Sequence, residues 1–252
     1  MKMKRILIRA DDLGYSEAVN YGIAKTVKEG IIRPIGVMTN MPYTKQGLDL
    51  IAGCDVCLGQ HTNICVGRPL TDPSLIPSIT TETGEFRSSK EYRSAKEDFV
   101  VLDEVILEIE AQYQKFKELT GEEPHYFEGH AVASENFFRG LEIVAERHGL
   151  PNLPFALTGP IKFRNTTLYT GMESDKLDYD PFEAMKKLAL KEYGDNECPM
   201  FVCHPGWLDN FILTHSSLTV NRTKEVEMLC DPKTREWLAD HDIRLVTYDD
   251  LA

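Results

Sequence analysis

The stretch that decides the fold is RILIRADDLGYSEAVNYGIAKTVKEG, residues 5–30. Ile6, Leu7 and Ile8 form an aliphatic run that Asp11-Asp12-Leu13-Gly14-Tyr15 interrupts. Ser16 is placed to cap a helix whose Val19, Ile23 and Val27 share one face, and Gly30 supplies its stop. The segment therefore reads as strand, loop and helix. Working outward, residues 35–39, 56–60, 126–129, 155–158, 200–203 and 244–247 are further short strand candidates. Helical patterns separate several of them. Between residues 97 and 119, Val101, Val105, Ile109, Tyr113 and Phe116 recur at three- and four-residue spacing before Gly121. Ser134 precedes Phe137, Phe138 and Leu141, and both Asp180-Pro181 and Asp231-Pro232 place a capping residue before a proline at the first helical position.

About seven strands alternating with helices predict a parallel sheet, closed as a (β/α) barrel or left open and doubly wound. The barrel is the favoured reading, as a single domain over residues 1–252. Residues 62–89 are rich in Pro, Thr, Ser and Gly and are expected to form a long loop over the active-site face.

Composition narrows the function. The chain of 252 residues carries 40 Asp+Glu against 28 Lys+Arg, a net charge of −12, which offers no face for phosphate neutralisation. No nucleic-acid partner is expected. No run approaches the roughly 20 apolar residues of a membrane span, and the acidic pair after Arg9 leaves no room for a signal-peptide core, so neither a membrane partner nor export is expected. The six cysteines are too sparse for a disulfide framework and read as reduced thiols of a cytoplasmic protein. Cys54-x-x-Cys57 has no second half and is read as core thiols, and Cys203 as pointing into the core behind Phe201 and Val202.

The chemistry is positional. Asp11-Asp12 follow the first strand, His61 the third, His130 the fourth, and His204 the strand ending at Cys203. In a parallel barrel these strand ends open on one face, so residues far apart in sequence converge. Two imidazoles and a carboxylate make a three-ligand divalent-metal site with open positions; a second carboxylate is then free to act as general base and a further histidine as general acid. A strand-end Asp pair is also a common turn device, and a lone strand-end histidine a common structural residue. His125, His148, His215 and His241 are read as structural or solvated. Trp207 is either a platform for a sugar ring or a plug in the barrel mouth.

These residues recur in a known order. The opening quoted above, with "LGQHTNICVGRPLTDPSLIPSIT", "PHYFEGHAVAS", "FVCHPGWLDN" and "LCDPKTREWLADHDIRLVTYDDL", resembles the blocks of the YdjC-like carbohydrate deacetylases over nearly the whole chain. The resemblance implies a barrel-like fold and metal-dependent removal of an acetyl group from an N-acetylated sugar, chitooligosaccharides being the best-known substrates. It implies Asp12, His61 and His130 as ligands of one divalent metal, Asp11 as general base, His204 as the histidine of the His-Pro-Gly block, and a cytoplasmic homodimer. The family association is with Mg²⁺, whereas ligand softness favours Zn²⁺. Asn63, Arg68 and Trp207 are candidate substrate contacts, and Arg68 and Lys162 candidate partners for an anionic group. One block departs: where the family places a run of alternating histidines after His130, this chain has Val132 and Ser134, and "LPFALTGP" lacks the arginine often found there. A metal-dependent sugar isomerase or aldolase, and a non-catalytic metal- or sugar-binding barrel, are the competing readings.

Overall fold

The computed structural model describes residues 4–154 and 159–252, so the strand expected at 155–158 lies outside the described residues. The order is β1 (Lys4–Leu13), α1 (Glu17–Lys28), β2 (Pro34–Val37), α2 (Thr44–Leu50), β3 (Cys57–Thr62), α3 (Ser89–Ser94), α4 (Leu102–Thr120) and β4 (Phe127–Gly129). There follow α5 (Glu135–His148), β5 (Ile161–Phe163), β6 (Thr166–Gly171), α6 (Pro181–Ala189), β7 (Glu197–Cys203), α7 (Asn210–His215), α8 (Val220–Cys230), α9 (Pro232–Asp240) and β8 (Ile243–Val246). Helix starts fall where capping chemistry puts them. Ser16 accepts from the Val19 amide, Ser134 from Phe137, and Asp180 from Phe182 and Glu183. Gly121 ends α4 at φ 78°, a conformation open to glycine without strain.

The strands form one curled sheet in the order β4-β3-β2-β1-β7-β6-β5, with β8 on the first half of β1. It is a distorted (β/α) barrel. Two features differ from a regular parallel barrel. β5 and β6 pair antiparallel as a hairpin through Arg164-Asn165, with Arg164 at φ 50°, and among the described residues β4 and β5 do not pair with each other. On its free side β4 is met in parallel by Asn152, through a bridge at Phe127.

β1 is the axis, apolar on both faces as a central parallel strand must be. Ile6, Ile8 and Ala10 pack with α1 and the outer helices, whereas Leu7 joins Tyr126, Phe163, Met200, Val202 and Tyr248 in the barrel interior. Residues 62–89 form a long loop packed by its own core: Ile64, Ile76, Ile79 and Phe86 join Val105 and Ile109 of α4. Three polar side chains at i, i+4 and i+8 on α4 hold its backbone. Glu104 accepts from Ser78, Glu108 from Leu70 and Thr71, and Gln112 exchanges hydrogen bonds with Asn63.

Candidate functional site

A regular strand sends consecutive side chains to opposite faces, yet Asp11 and Asp12 both face the barrel mouth. The reason is a bulge. Ala10 pairs with Ile35 and Leu13 with Val37, so three steps of β1 oppose two of β2, and Asp12 takes the strain at φ 79°. Both carboxylates are buried, at 2% and 0% exposure.

His61 near the end of β3 and His130 just beyond β4 complete the set. Asp12 Oδ1 lies 3.2 Å from His61 Nε2 and 3.1 Å from His130 Nδ1, and the two nitrogens are 2.9 Å apart. Ligands about 2.1 Å from one ion and at right angles to each other stand about 3 Å apart, so the three donors fit one octahedral face. Asp12 Oδ1 is buried without a hydrogen-bond partner, which adds a lone pair aimed at that point. Against the burial that disfavours imidazolium, Glu128 and Asp11 raise His61 to about 10, and Asp12 raises His130 to about 9; the pocket stabilises positive charge.

Around this triangle runs a shell of buried charge. Glu128 Oε1 lies 3.1 Å from His61 Nδ1, close enough to pair with the imidazole from the side away from Asp12. A Cβ on Gly36 would come within 2.7 Å of that oxygen, so the site requires glycine there. Arg9 holds both oxygens of Asp11, at 2.6 and 2.7 Å, and also meets Glu128 and the Tyr248 hydroxyl. Arg222 on α8, 2% exposed, donates to Asp12 Oδ2 at 2.7 Å and to the carbonyls of Leu218 and His204. Burial raises the Asp12 carboxyl, but Arg222 and His130 outweigh it and hold it well below the carboxylate range. Burial lifts Asp11, with Arg9 opposing.

His204 follows β7, its Nε2 4.0 Å from Asp11 Oδ2 and its Nδ1 buried without a partner. Burial lowers its pKa to about 4, so the ring is neutral at neutral pH. Its backbone amide donates to Glu225 Oε2 at 2.6 Å, and Tyr179 donates to Oε1; burial pushes Glu225 up to about 7. Two buried guanidinium groups thus face four buried carboxyl groups, an excess of negative charge suited to a divalent cation.

The cluster forms the floor of a cavity of about 540 Å³ whose mouth includes Arg93, Phe138, Met172, His215 and Ser216. Asp11, Asp12, His61, His130 and His204 are brought together there. The other candidates are not. Asn63 is fully buried and uses its amide to tie Asn40, Cys65 and Val66, while Arg68, Lys162 and Trp207 lie outside the lining. His215, read as structural, does stack on Phe211 but also borders the mouth. His148 stacks on Tyr113 and His241 on Trp237. Cys57 and Cys203 are buried as expected, and Cys54 half-buried. Arg9, Glu128, Arg222 and Glu225 escaped the sequence reading, although a lone arginine inside an aliphatic strand was a usable signal for the first.

The family model described as YdjC-like protein matches residues 5–240. A carbohydrate deacetylase of Halalkalibacterium halodurans is 30% identical, the match covering 92% of this chain and 98% of that one. The carbohydrate deacetylase of Geobacillus stearothermophilus is 29% identical over 96% of each. A crystal structure from Enterococcus faecalis, of a protein named for cellobiose-phosphate cleavage, superposes over the whole of both chains with TM-score 0.84 at 21% identity.

Proposed function

The chain belongs to the YdjC-like family, and from that premise we propose that it is a metal-dependent deacetylase of a small N-acetylated sugar. The observation that carries the reading is the triangle of Asp12, His61 and His130 beside a second buried carboxylate, Asp11, on the cavity floor. The names of its relatives support the sugar and the acetyl group.

A divalent ion held by Asp12, His61 and His130 would supply Lewis acidity, polarising the amide carbonyl and acidifying a water beside it. Asp11, whose basicity burial raises, takes a proton as that water's oxygen bonds to the carbonyl carbon. Neutral His204 sits next to Asp11 and relays the proton to the amine nitrogen as the C–N bond breaks. The products are acetate and the free amino sugar. Arg9 and Arg222 hold Asp11 and Asp12 in place, each carboxylate anchored by a guanidinium so that rotation of neither is free. The apolar rim of Phe138 and Met172 suits a sugar face, and Arg93, at the mouth and exposed, suits an anionic substituent such as phosphate.

Chelator-stripped protein, given Mg²⁺, Mn²⁺ or Zn²⁺ in turn, is expected to release acetate from at least one of diacetylchitobiose, N-acetylglucosamine and its 6-phosphate. Acetate release separates this reading from an isomerase, an aldolase and a silent binding protein. No release with any pairing of metal and sugar would overturn it.

A further inference from the structure

Four residues before His61, about 13 Å back along β3, lies Cys57 at the opposite end of the strand. There it meets His125, just before β4, and Asp249, in the turn after β8. His125 Nδ1 and Asp249 Oδ2 are 2.8 Å apart, and the thiol, imidazole and carboxylate donors all lie within 4.8 Å of one another. Three separate elements thus present sulfur, nitrogen and oxygen to one point at the base of the barrel. We propose that Cys57, His125 and Asp249 form a second metal site, selective for Zn²⁺, that ties the C-terminal turn to the start of β3 and β4.

The donor set selects the ion. Thiolate with imidazole excludes Mg²⁺ and Ca²⁺, which take oxygen, and favours zinc, leaving a fourth tetrahedral position for water. Around such an ion the donors would stand about 3.3–3.6 Å apart, so His125 and Asp249, now 2.8 Å apart, must spread by about half an ångström while the thiol distance, at most 4.8 Å, shortens by up to about 1.5 Å. The adjustment falls on the side chains with room for it: those of His125 and Asp249 are 31% and 50% exposed, while Cys57 is buried. Burial pushes the Cys57 thiol up to about 12, with Asp249 adding to it, so the ion must displace the thiol proton on binding. The position also suggests the purpose. The base of a parallel barrel serves stability rather than chemistry. Tyr248, beside Asp249, stacks on Tyr126, beside His125, at 3.8 Å between ring centroids, and its hydroxyl reaches Arg9 beneath the cavity floor. An ion here pins the turn that carries Tyr248.

The test is titration of the chelator-stripped full-length chain with Co²⁺ and Zn²⁺. The proposed catalytic ligands include no sulfur, so a thiolate-to-cobalt charge-transfer band is expected in the wild type and in His130→Ala, and is expected to be absent in Cys57→Ser. Zinc affinity at the site that gives this band with cobalt should fall by at least about 100-fold in His125→Ala, since even an outer-shell partner is worth about 10–100-fold. Acetate release by both variants should stay within about twofold of wild type, as neither residue touches the cavity. No thiolate band in the wild type, a band that persists in Cys57→Ser, or unchanged zinc affinity in His125→Ala overturns the proposal. Because His125 is half-exposed, its variant decides the matter even where Cys57→Ser fails to fold.

Discussion

Removing Arg222 should cost more than any contact at the cavity mouth, and the cost should depend on metal. Arg222 and Asp12 are 2% and 0% exposed and meet at 2.7 Å, so Arg222→Met strips the guanidinium from a buried, charged Asp12 and leaves only the His61 and His130 imidazoles beside it. Breaking such a pair from one side costs about 3–5 kcal/mol. The Leu218 and His204 carbonyls lose a donor as well. For a chain of this size each kcal/mol shifts Tm by about 2–4 °C, so melting in chelator should fall by roughly 6–20 °C. A divalent ion on Asp12 supplies the missing positive charge. With saturating Zn²⁺ or Mn²⁺ the deficit should therefore narrow by several degrees. Arg222→Lys keeps the charge but not the fork, and should fall between the two. Thermal melts by circular dichroism with chelator and with each ion read this directly. A variant within about 1 kcal/mol of wild type in chelator, or a deficit equal with and without ion, would refute the reasoning.

Three further outcomes are expected. Asp11→Asn and His204→Ala should each lower kcat by roughly 10²- to 10⁴-fold with metal content unchanged, whereas His61→Ala and His130→Ala should lose the metal; atomic absorption alongside acetate assays separates the two classes. Glu225, raised to about 7 when folded against about 4.3 unfolded, binds more protons in the native state, so its contribution falls as pH rises from about 4.5 and is lost above about 7. Urea titrations should show Glu225→Gln, whose carbonyl oxygen still accepts from the His204 amide while its NH2 donates to a turned Tyr179 hydroxyl, gaining up to about 3 kcal/mol on the wild type between pH 5 and 8; a parallel pH dependence in both proteins would contradict this. Arg93→Ala should raise KM for N-acetylglucosamine 6-phosphate by about 3- to 10-fold and leave N-acetylglucosamine alone, while Arg68→Ala should change neither.

The barrel was legible because its signals are local and periodic. Ser16, Ser134, Asp180 and Asp231 cap helices, and short apolar runs such as Ile6-Leu7-Ile8 and Met200-Phe201-Val202-Cys203, lying between those helical patterns, read as buried strands. Strand ends then delivered Asp11, Asp12, His61, His130 and His204 by topology alone. What stayed hidden was set by partners far along the chain. Arg222 lies 210 residues from Asp12 on a helix with no distinguishing pattern, and Arg9 meets a hydroxyl 239 residues away. Asn63 misled because an amide following a strand-end histidine resembles a ligand contact, whereas the backbone of Cys65 and Val66 needed its oxygen. The antiparallel hairpin was missed because Arg164-Asn165 lacks the glycine that announces a two-residue turn.

The bulge at Asp12 bears on how such a protein can drift. Holding a non-glycine residue at φ 79° costs of order 1–3 kcal/mol, and a buried ion pair is often no more stable than packed apolar groups. A barrel with Asp12→Gly and Arg222→Leu together would accordingly be stabler than this one and catalytically dead. Neither step reaches it alone, because each strands the other's charge at about 3–5 kcal/mol, enough to unfold many domains of marginal stability. Selection for thermal robustness and selection for catalysis therefore block the same first mutation. The strained aspartate is guarded by a valley in stability even in a lineage that has stopped needing the proposed reaction, so loss of activity should begin elsewhere, at Asp11 or the cavity rim, before it reaches Asp12.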